Sequence, residues 1–210
     1  MRTHQTPIGN LPSVTQILSA TDSPEAQDRL RKWQQKMDKI HGSGAAEAES
    51  TAAKNRGIEL HDLVKNYLNS STFSQPENNV FWNNLHPFLK SIKNDWLVCE
   101  HLIWSKYGYS GICDLVAKID NQVTLVDWKT SKRTKQRAWI EDYFIQCAAY
   151  AMAYNENEVS LECPEHMNDI TQLAVVVISP NKLQFFTEEN VKKYQALWLD
   201  RLAIFKKMVK

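Results

Sequence analysis

No apolar run in this sequence is long enough to cross a bilayer. The longest, Leu173-Ala174-Val175-Val176-Val177-Ile178 and residues 148–153, fall far short of the roughly 20 apolar residues that a spanning helix needs. The first ten residues hold neither an apolar signal core nor an amphipathic Arg-rich presequence, so a cytoplasmic protein with no membrane partner is expected. An excess of one charge is lacking too. With 25 Lys and Arg against 24 Asp and Glu, the net charge of +1 excludes a global polycation, and any nucleic-acid contact must come from local clustering. Cysteine pairs are absent: Cys99, Cys113, Cys147 and Cys163 form no CxxC, and no His stands at zinc-finger spacing from them. Buried free thiols are the expectation, and the spacing gives no support for an iron–sulfur cluster. No internal repeat or low-complexity tract interrupts the chain.

What is present is an ordinary globular composition, 43% hydrophobic and 23% charged over 210 residues, enough for one domain with a sizeable core. The charge is uneven. Lys129, Lys132, Arg133, Lys135 and Arg137 place five cations in nine residues, Arg29, Arg31, Lys32, Lys36 and Lys39 form a second basic group, and residues 156–169 are acidic.

Leu11-Pro12-Ser13 offers a cap before Val14, Ile17 and Leu18, and Ser23-Pro24-Glu25 caps a helix with Leu30, Trp33, Met37 and Ile40 on one face. That helix ends at His41-Gly42-Ser43-Gly44. Residues 45–54 suggest a polar helix with little apolar face, and 56–68 a separate amphipathic helix carrying Ile58, His61, Val64 and Leu68. An aromatic helix around Phe81, Trp82, Leu85, Phe88 and Leu89 follows. The period then shortens to two: strands over 97–104, 112–119 and 123–129, the last two joined by a tight turn at Asp120-Asn121. A helix over 138–154, a doubly buried strand over 173–178, a further strand over 183–186 and a C-terminal helix capped by Thr187 complete the chain. The class is α/β (α+β), a layered domain around a mixed sheet.

Successive strand side chains alternate between faces, so Asp127 and Lys129 point the same way, and a hairpin of this length brings Asp114 beside Asp127. Two carboxylates and an ammonium at one place suit phosphodiester hydrolysis. Carboxylate oxygens bind Mg²⁺ or Mn²⁺, such an ion lowers the pKa of a bound water, and Lys129 stabilises the transition-state oxygens or orients the water. The triplet Asp127-Trp128-Lys129 alone reads first as a surface ion pair at a strand end; Asp114 on the adjacent strand, with Gln146 and Tyr150 on the helix that follows, turns the reading to chemistry. Residue by residue, His61 on an apolar helix face reads as core. Glu100 in a strand needs a cation partner or a metal. Gln146 and Tyr150, four apart, share a helix edge.

Gly111-x-x-Asp114-Leu115-Val116, Val126-Asp127-Trp128-Lys129-Thr130-Ser131 and Gln146-x-x-x-Tyr150 resemble the motifs of the PD-(D/E)xK nuclease superfamily. With Arg56-Gly57-x-x-x-His61 upstream, the chain is similar to its RecB-type branch. Leu11-Pro12-Ser13-Val14-Thr15, Leu30 and Trp33 resemble the subfamily of mitochondrial genome maintenance exonucleases and their phage-encoded relatives. The resemblance implies a restriction-endonuclease-like core, a central mixed sheet flanked by helices. It implies His61, Asp114, Asp127 and the Trp128 backbone carbonyl as ligands of one or two Mg²⁺ or Mn²⁺ ions, with Glu100 serving a second ion or its water shell. Lys129 would be the catalytic lysine, and Gln146 and Tyr150 would position the DNA strand. Because no targeting segment is seen, a bacterial or phage origin is expected, with replication or recombination proteins as candidate partners.

Residues 1–55 are expected to form a helical cover over a nuclease core spanning 56–210. Within it Trp33 is either core stripe or a stacking platform for a base. Thr130, Ser131, Lys132, Arg133, Lys135 and Arg137 are the expected DNA contacts, since phosphate contacts dominate affinity. The leading expectation is an exonuclease on single-stranded DNA. Alternatives are a duplex exonuclease or structure-selective endonuclease, and a DNA-binding module without catalysis, against which the intact Asp114, Asp127, Lys129 and His61 argue.

Overall fold

Asp120 and Asn121 take positive φ, 49° and 65°, as a two-residue turn that matches strand twist requires. In the computed structural model, which describes residues 3–156 and 169–209, this turn joins β4 (Tyr109–Ile119) to β5 (Gln122–Thr130). Cys163 and most of the acidic stretch of 156–169 lie outside the described residues. Before β4 runs β3 (Trp96–Ser105), and later come β6 (Gln172–Ile178) and β7 (Leu183–Glu188). The five strands lie in the order β3-β4-β5-β6-β7. Only the β5–β6 pair is parallel. A parallel pair needs a crossover, and α5 (Glu141–Glu156) lies in it.

The alternation along β5 assigns the two faces. Val123 and Leu125 pack with α1 (Val14–Ala20), α5 and α6 (Val191–Met208). Val126 and Trp128 pack with α3 (Ala45–Asn69) and α4 (Val80–Ser91). Each residue of β6 is buried, as its run of valines led one to expect for a strand covered on both sides. This α/β sandwich around a mixed sheet is the expected fold class. Cys113 and Cys147 are buried free thiols and Cys99 is half-buried. Among the described residues no helix is long and apolar enough to cross a membrane.

Several elements differ from the sequence expectation. The polar helix at 45–54 and the amphipathic helix at 56–68 are one 25-residue helix, α3. The boundary drawn at 55/56 therefore falls inside a continuous helix and not in a linker. Its buried face is Leu60, Val64, Tyr67 and Leu68, while Ile58 is half exposed and faces a cavity together with His61. The helix α2 (Pro24–His41) is capped by Ser23 as expected, but none of its residues is buried. It packs on α3 and not on the sheet, so Leu30 and Ile40 stay exposed. A hairpin of β1 (Thr3–Thr6) and β2 (Gly9–Pro12) had no strand signal, being short and polar. The N-cap of α6 is Asn190, whose side chain accepts from Lys193 N; Thr187 belongs to β7.

Arg201 fixes the root of the N-terminal helices. Its guanidinium donates to Leu18 O at 2.5 Å, Thr21 Oγ1 at 2.6 Å and Asp22 at 3.0 Å.

Candidate active site

Registered pairs between β4 and β5 run from Ile119↔Gln122 to Leu115↔Val126 and stop there. The next residues on each strand are Asp114 and Asp127. In place of another ladder bond, Asp114 Oδ2 accepts the Trp128 backbone N–H at 2.8 Å. In an extended strand the N–H and C=O of one residue point to the same side, so the Trp128 carbonyl is directed toward Asp114 as well, while its indole is buried in the α3–α4 core. The site therefore sits where two neighbouring strands part, a place that frees backbone groups for a ligand.

On the other side of Asp114 lies β3. The β3–β4 register, Cys99↔Leu115 and His101↔Cys113, sets Glu100 opposite Asp114. Glu100 has φ 49°, a left-handed value that costs a non-glycine residue energy and clusters at functional sites. The strand turns over there: Val98 before it and Ile103 after it face the same core, a spacing that regular alternation forbids. Glu100 sits at this turnover, and regular alternation does not carry from Val98 through it. Its partner is also not a Lys or Arg. His61 Nδ1, from α3, lies 2.6 Å from Glu100 Oε1 and 3.5 Å from Asp114 Oδ1. His61, Glu100 and Asp114 offer three ligand atoms within 4.8 Å of one another.

Asp127 and Lys129 approach from the face of α5. Asp127 Oδ1 accepts from Gln146 Nε2 at 2.8 Å, and Oδ2 lies 2.5 Å from Lys129 Nζ. That second contact is an ion pair off the line of a hydrogen bond, so Oδ2 is a buried oxygen without an aligned donor. Gln146 also reaches Tyr150 Oη at 3.4 Å. A cavity of about 370 Å³ is lined by His61, Glu100, Asp114, Lys129, Gln146 and Tyr150, and also by His4, Ser13, Thr15 and Lys54.

Charge is out of balance in this cluster. Burial pushes the Asp127 carboxyl up to about 6 against the pull of Lys129. Burial also raises Asp114, which His61 and Lys129 only partly offset. For His61, burial alone would lower the imidazole, but Asp114 and Glu100 outweigh it and hold the group at about 9. The same two aspartates raise Lys129 against its own burial. Buried carboxylates held above their ordinary values, beside an imidazole that carries a proton, form a set that a divalent cation fits: the ion would replace the proton and restore both carboxylates to the charged form.

These shifts give the metal-free protein a pH dependence of known sign. His61 is raised from 6.5 to about 9, so its contribution is fully present below 6.5 and is lost as pH rises through 9. Asp127, raised from 3.8 to about 6, adds a penalty as pH climbs across that window. With chelator present, the melting temperature is expected to fall from pH 6 to pH 9.5, and saturating Mn²⁺ is expected to shrink that fall. A metal-free protein more stable at pH 9.5 contradicts this electrostatic account.

Two supporting residues had no assigned role in the sequence. Tyr143 lies one helical turn before Gln146, and Lys129 Nζ stands 5.1 Å from its ring centroid, a cation–π contact that helps aim the ammonium. Gly111 explains the glycine of the Gly-x-x-Asp motif: a Cβ there would lie 2.4 Å from Tyr150 Cε1. Gly111→Ala is expected to push Tyr150 off the cavity wall and to cost about 1–3 kcal/mol, the usual range for overpacking. A melt and a crystal structure check this; an unmoved Tyr150 ring contradicts it.

The expected DNA contacts separate into two groups. Thr130, Ser131, Lys132, Arg133 and Lys135 line a second groove of about 700 Å³ together with Trp33. Trp33 is thus on a groove and outside the core. Arg137 is not among them. It pairs with Glu141 at 2.9 Å and Glu188 at 3.4 Å, donates to Tyr194 Oη at 2.7 Å and stacks on Phe144, with its Cζ 3.9 Å from the ring centroid. A guanidinium so engaged ties the start of α5 to α6, and Arg137 does not line the groove of the other expected contacts.

A fold with helices on both faces of a mixed sheet, and an acid–lysine cluster where two of its strands diverge, defines a class. The model of the PD-(D/E)XK nuclease superfamily matches residues 105–209, half of the chain, and the chain belongs to that superfamily. The matched part holds Asp114, Asp127, Lys129, Gln146 and Tyr150, while His61 and Glu100 precede it. More particularly, the chain is similar to mitochondrial genome maintenance exonuclease 1 of Mus musculus, 27% identical over 217 residues, which covers 92% of this chain and 58% of the relative. The Xenopus tropicalis protein of that name is 28% identical over 213 residues, 95% and 58%. The Homo sapiens protein is 23% identical over 205 residues, 91% and 57%. The chain spans less than three fifths of the length of these curated relatives.

Proposed function

We propose that this protein is a metal-dependent exonuclease that hydrolyses phosphodiester bonds of single-stranded DNA from free ends. The observation that carries this reading is the convergence of His61, Glu100, Asp114, Asp127 and Lys129 at the strand fork, four of them lining one cavity. Asp114, Asp127, His61 and the Trp128 carbonyl would hold a Mg²⁺ or Mn²⁺ ion, with Glu100 beside a second ion or its water. When bound, the ion polarises the phosphate and supplies hydroxide at neutral pH. Lys129, held by Asp127 and aimed by Tyr143, donates to a non-bridging oxygen of the scissile phosphate or orients the attacking water. Gln146 fixes the rotamer of Asp127 through its 2.8 Å bond. Tyr150, which lines the same cavity, contacts the strand there.

The preference for single strands with ends rests on the N-terminal part of the chain. His4, Ser13, Thr15 and Lys54 wall the cavity, so residues 1–55 act as a cover, and the basic helix α2 with Trp33 offers a passing strand cations and a stacking surface. The relatives bear the name exonuclease, which supports the requirement for ends. Linear single strands blocked at both ends by bulky adducts test it. They are expected to resist cleavage while the unblocked strand is degraded. Efficient cutting of the doubly blocked strand moves the reading to an endonuclease with an open site.

A further inference from the structure

The helix α3 is a ridge between two depressions. On one flank Lys54, Gly57, Ile58 and His61 face the cavity of the acid cluster. On the other, Glu49, Ser50, Ala53 and Arg56 face the second groove. The opposite wall of that groove is the chain that leaves β5 directly after Lys129. This wall is fixed: Ser131 Oγ donates to Arg133 O at 2.6 Å, and Lys135 exchanges hydrogen bonds with Gln184, 2.8 Å through its N–H and 3.0 Å through its carbonyl. Lys132 spans the groove to Glu49 at 2.5 Å. Among the described lining residues Glu49 is the one acid, against Lys36, Arg56, Lys132, Arg133 and Lys135.

Arg56 stands out within this set. Its Cζ lies 5.4 Å from the centroid of the Phe81 ring, a cation–π contact. Its Nε is buried and has no hydrogen-bond partner. A buried donor without a partner is costly, and such a group calls for an explanation, an ion or ligand being one. The planar guanidinium fork matches a phosphate in two-point geometry, which an ammonium does not. The contact with Phe81 restricts where that fork can lie before any ligand arrives.

We infer that Arg56 is a phosphate-binding residue: it grips a backbone phosphate of the DNA strand in the second groove, across α3 from the acid cluster. This inference rests on the single-strand reading of the substrate. It assigns the arginine of Arg56-Gly57-x-x-x-His61 a ligand of its own, five residues before the histidine that joins the metal cluster. One helix then carries, on one flank, His61, which would hold a metal at the acid cluster, and on the other Arg56, so the spacing between the two is fixed by α3.

Equilibrium binding of a fluorescent oligothymidylate, in chelator so that no cleavage occurs, tests the inference across a salt series. Arg56→Ala is expected to weaken binding roughly tenfold, the scale of one charge-assisted contact. The slope of log affinity against log salt is expected to fall by about 0.7, the value for one phosphate contact on a single strand. Arg56→Gln keeps the stem over Phe81 and removes the charge; it is expected to lose the same slope, and it decides the question if the alanine variant does not fold. Arg56→Lys is expected to keep the slope yet recover only part of the affinity. Unchanged affinity and slope in a folded Arg56→Gln protein overturn the inference and leave Arg56 as a brace for Phe81. If the parent protein itself binds no single strand, the substrate reading fails, and the inference with it.

Discussion

Lys129→Ala is expected to leave the fold standing and to cut DNA cleavage by at least about 10²–10³-fold, the usual consequence of removing one donor aimed at transition-state charge. Lys129 makes its ion pair at 2.5 Å with Asp127 and contacts the Tyr143 ring, but it supports no core cluster. Its loss removes the positive charge that opposes the burial of Asp127, so that carboxyl rises further and holds a cation less well. Both effects act on activity. A thermal melt within a few degrees of the parent, beside a cleavage rate near background, is the expected pair of results. A folded Lys129→Ala protein with near-normal cleavage removes the lysine from the chemistry.

Asp114→Asn should abolish most of the stabilisation that Mn²⁺ gives the parent. An ion at one hundred times its Kd adds about 2.7 kcal/mol when it binds only the native state, which in a protein of this size is a rise of several degrees. The asparagine keeps an oxygen that can accept the Trp128 N–H, so the strand fork survives while the ligand charge is gone. His61→Ala is expected to weaken the Mn²⁺ shift less, with partial rescue at raised Mn²⁺. Identical Mn²⁺ shifts in the parent and Asp114→Asn proteins place the ion elsewhere.

The sheet and the Asp114–Asp127–Lys129 cluster were legible because a period of two fixes which side chains share a face, and a tight turn fixes the register. What broke that rule was local. Glu100 takes a left-handed backbone within a strand, and no pattern of apolar residues announces it, so its pairing with His61 had to be seen. The continuity of α3 was hidden by a change of pattern near residue 55, where a polar stretch with little apolar face meets an amphipathic one, although one backbone helix carries both. The apolar stripe of α2 was visible as a period of 3.6, but a period does not say what covers it, and here no sheet does. In the basic run from Lys129 to Arg137, composition alone could not separate Arg137, held by Glu141, Glu188 and Tyr194, from the groove-lining cations before it. Gly111 was read as part of a motif; only the Tyr150 ring lying over it shows that a side chain there must displace that ring.

The proposal that a divalent-metal site at the strand fork cuts single-stranded DNA from its ends has a direct test. End-labelled linear single-stranded, circular single-stranded and duplex DNA are digested with Mg²⁺, Mn²⁺ or chelator. Linear single strands should be degraded with either metal, circles should survive, duplex should be cut poorly, and chelator should stop all cleavage. Cleavage of circles at the linear rate would remove the need for ends, and cleavage that persists in chelator would remove the metal.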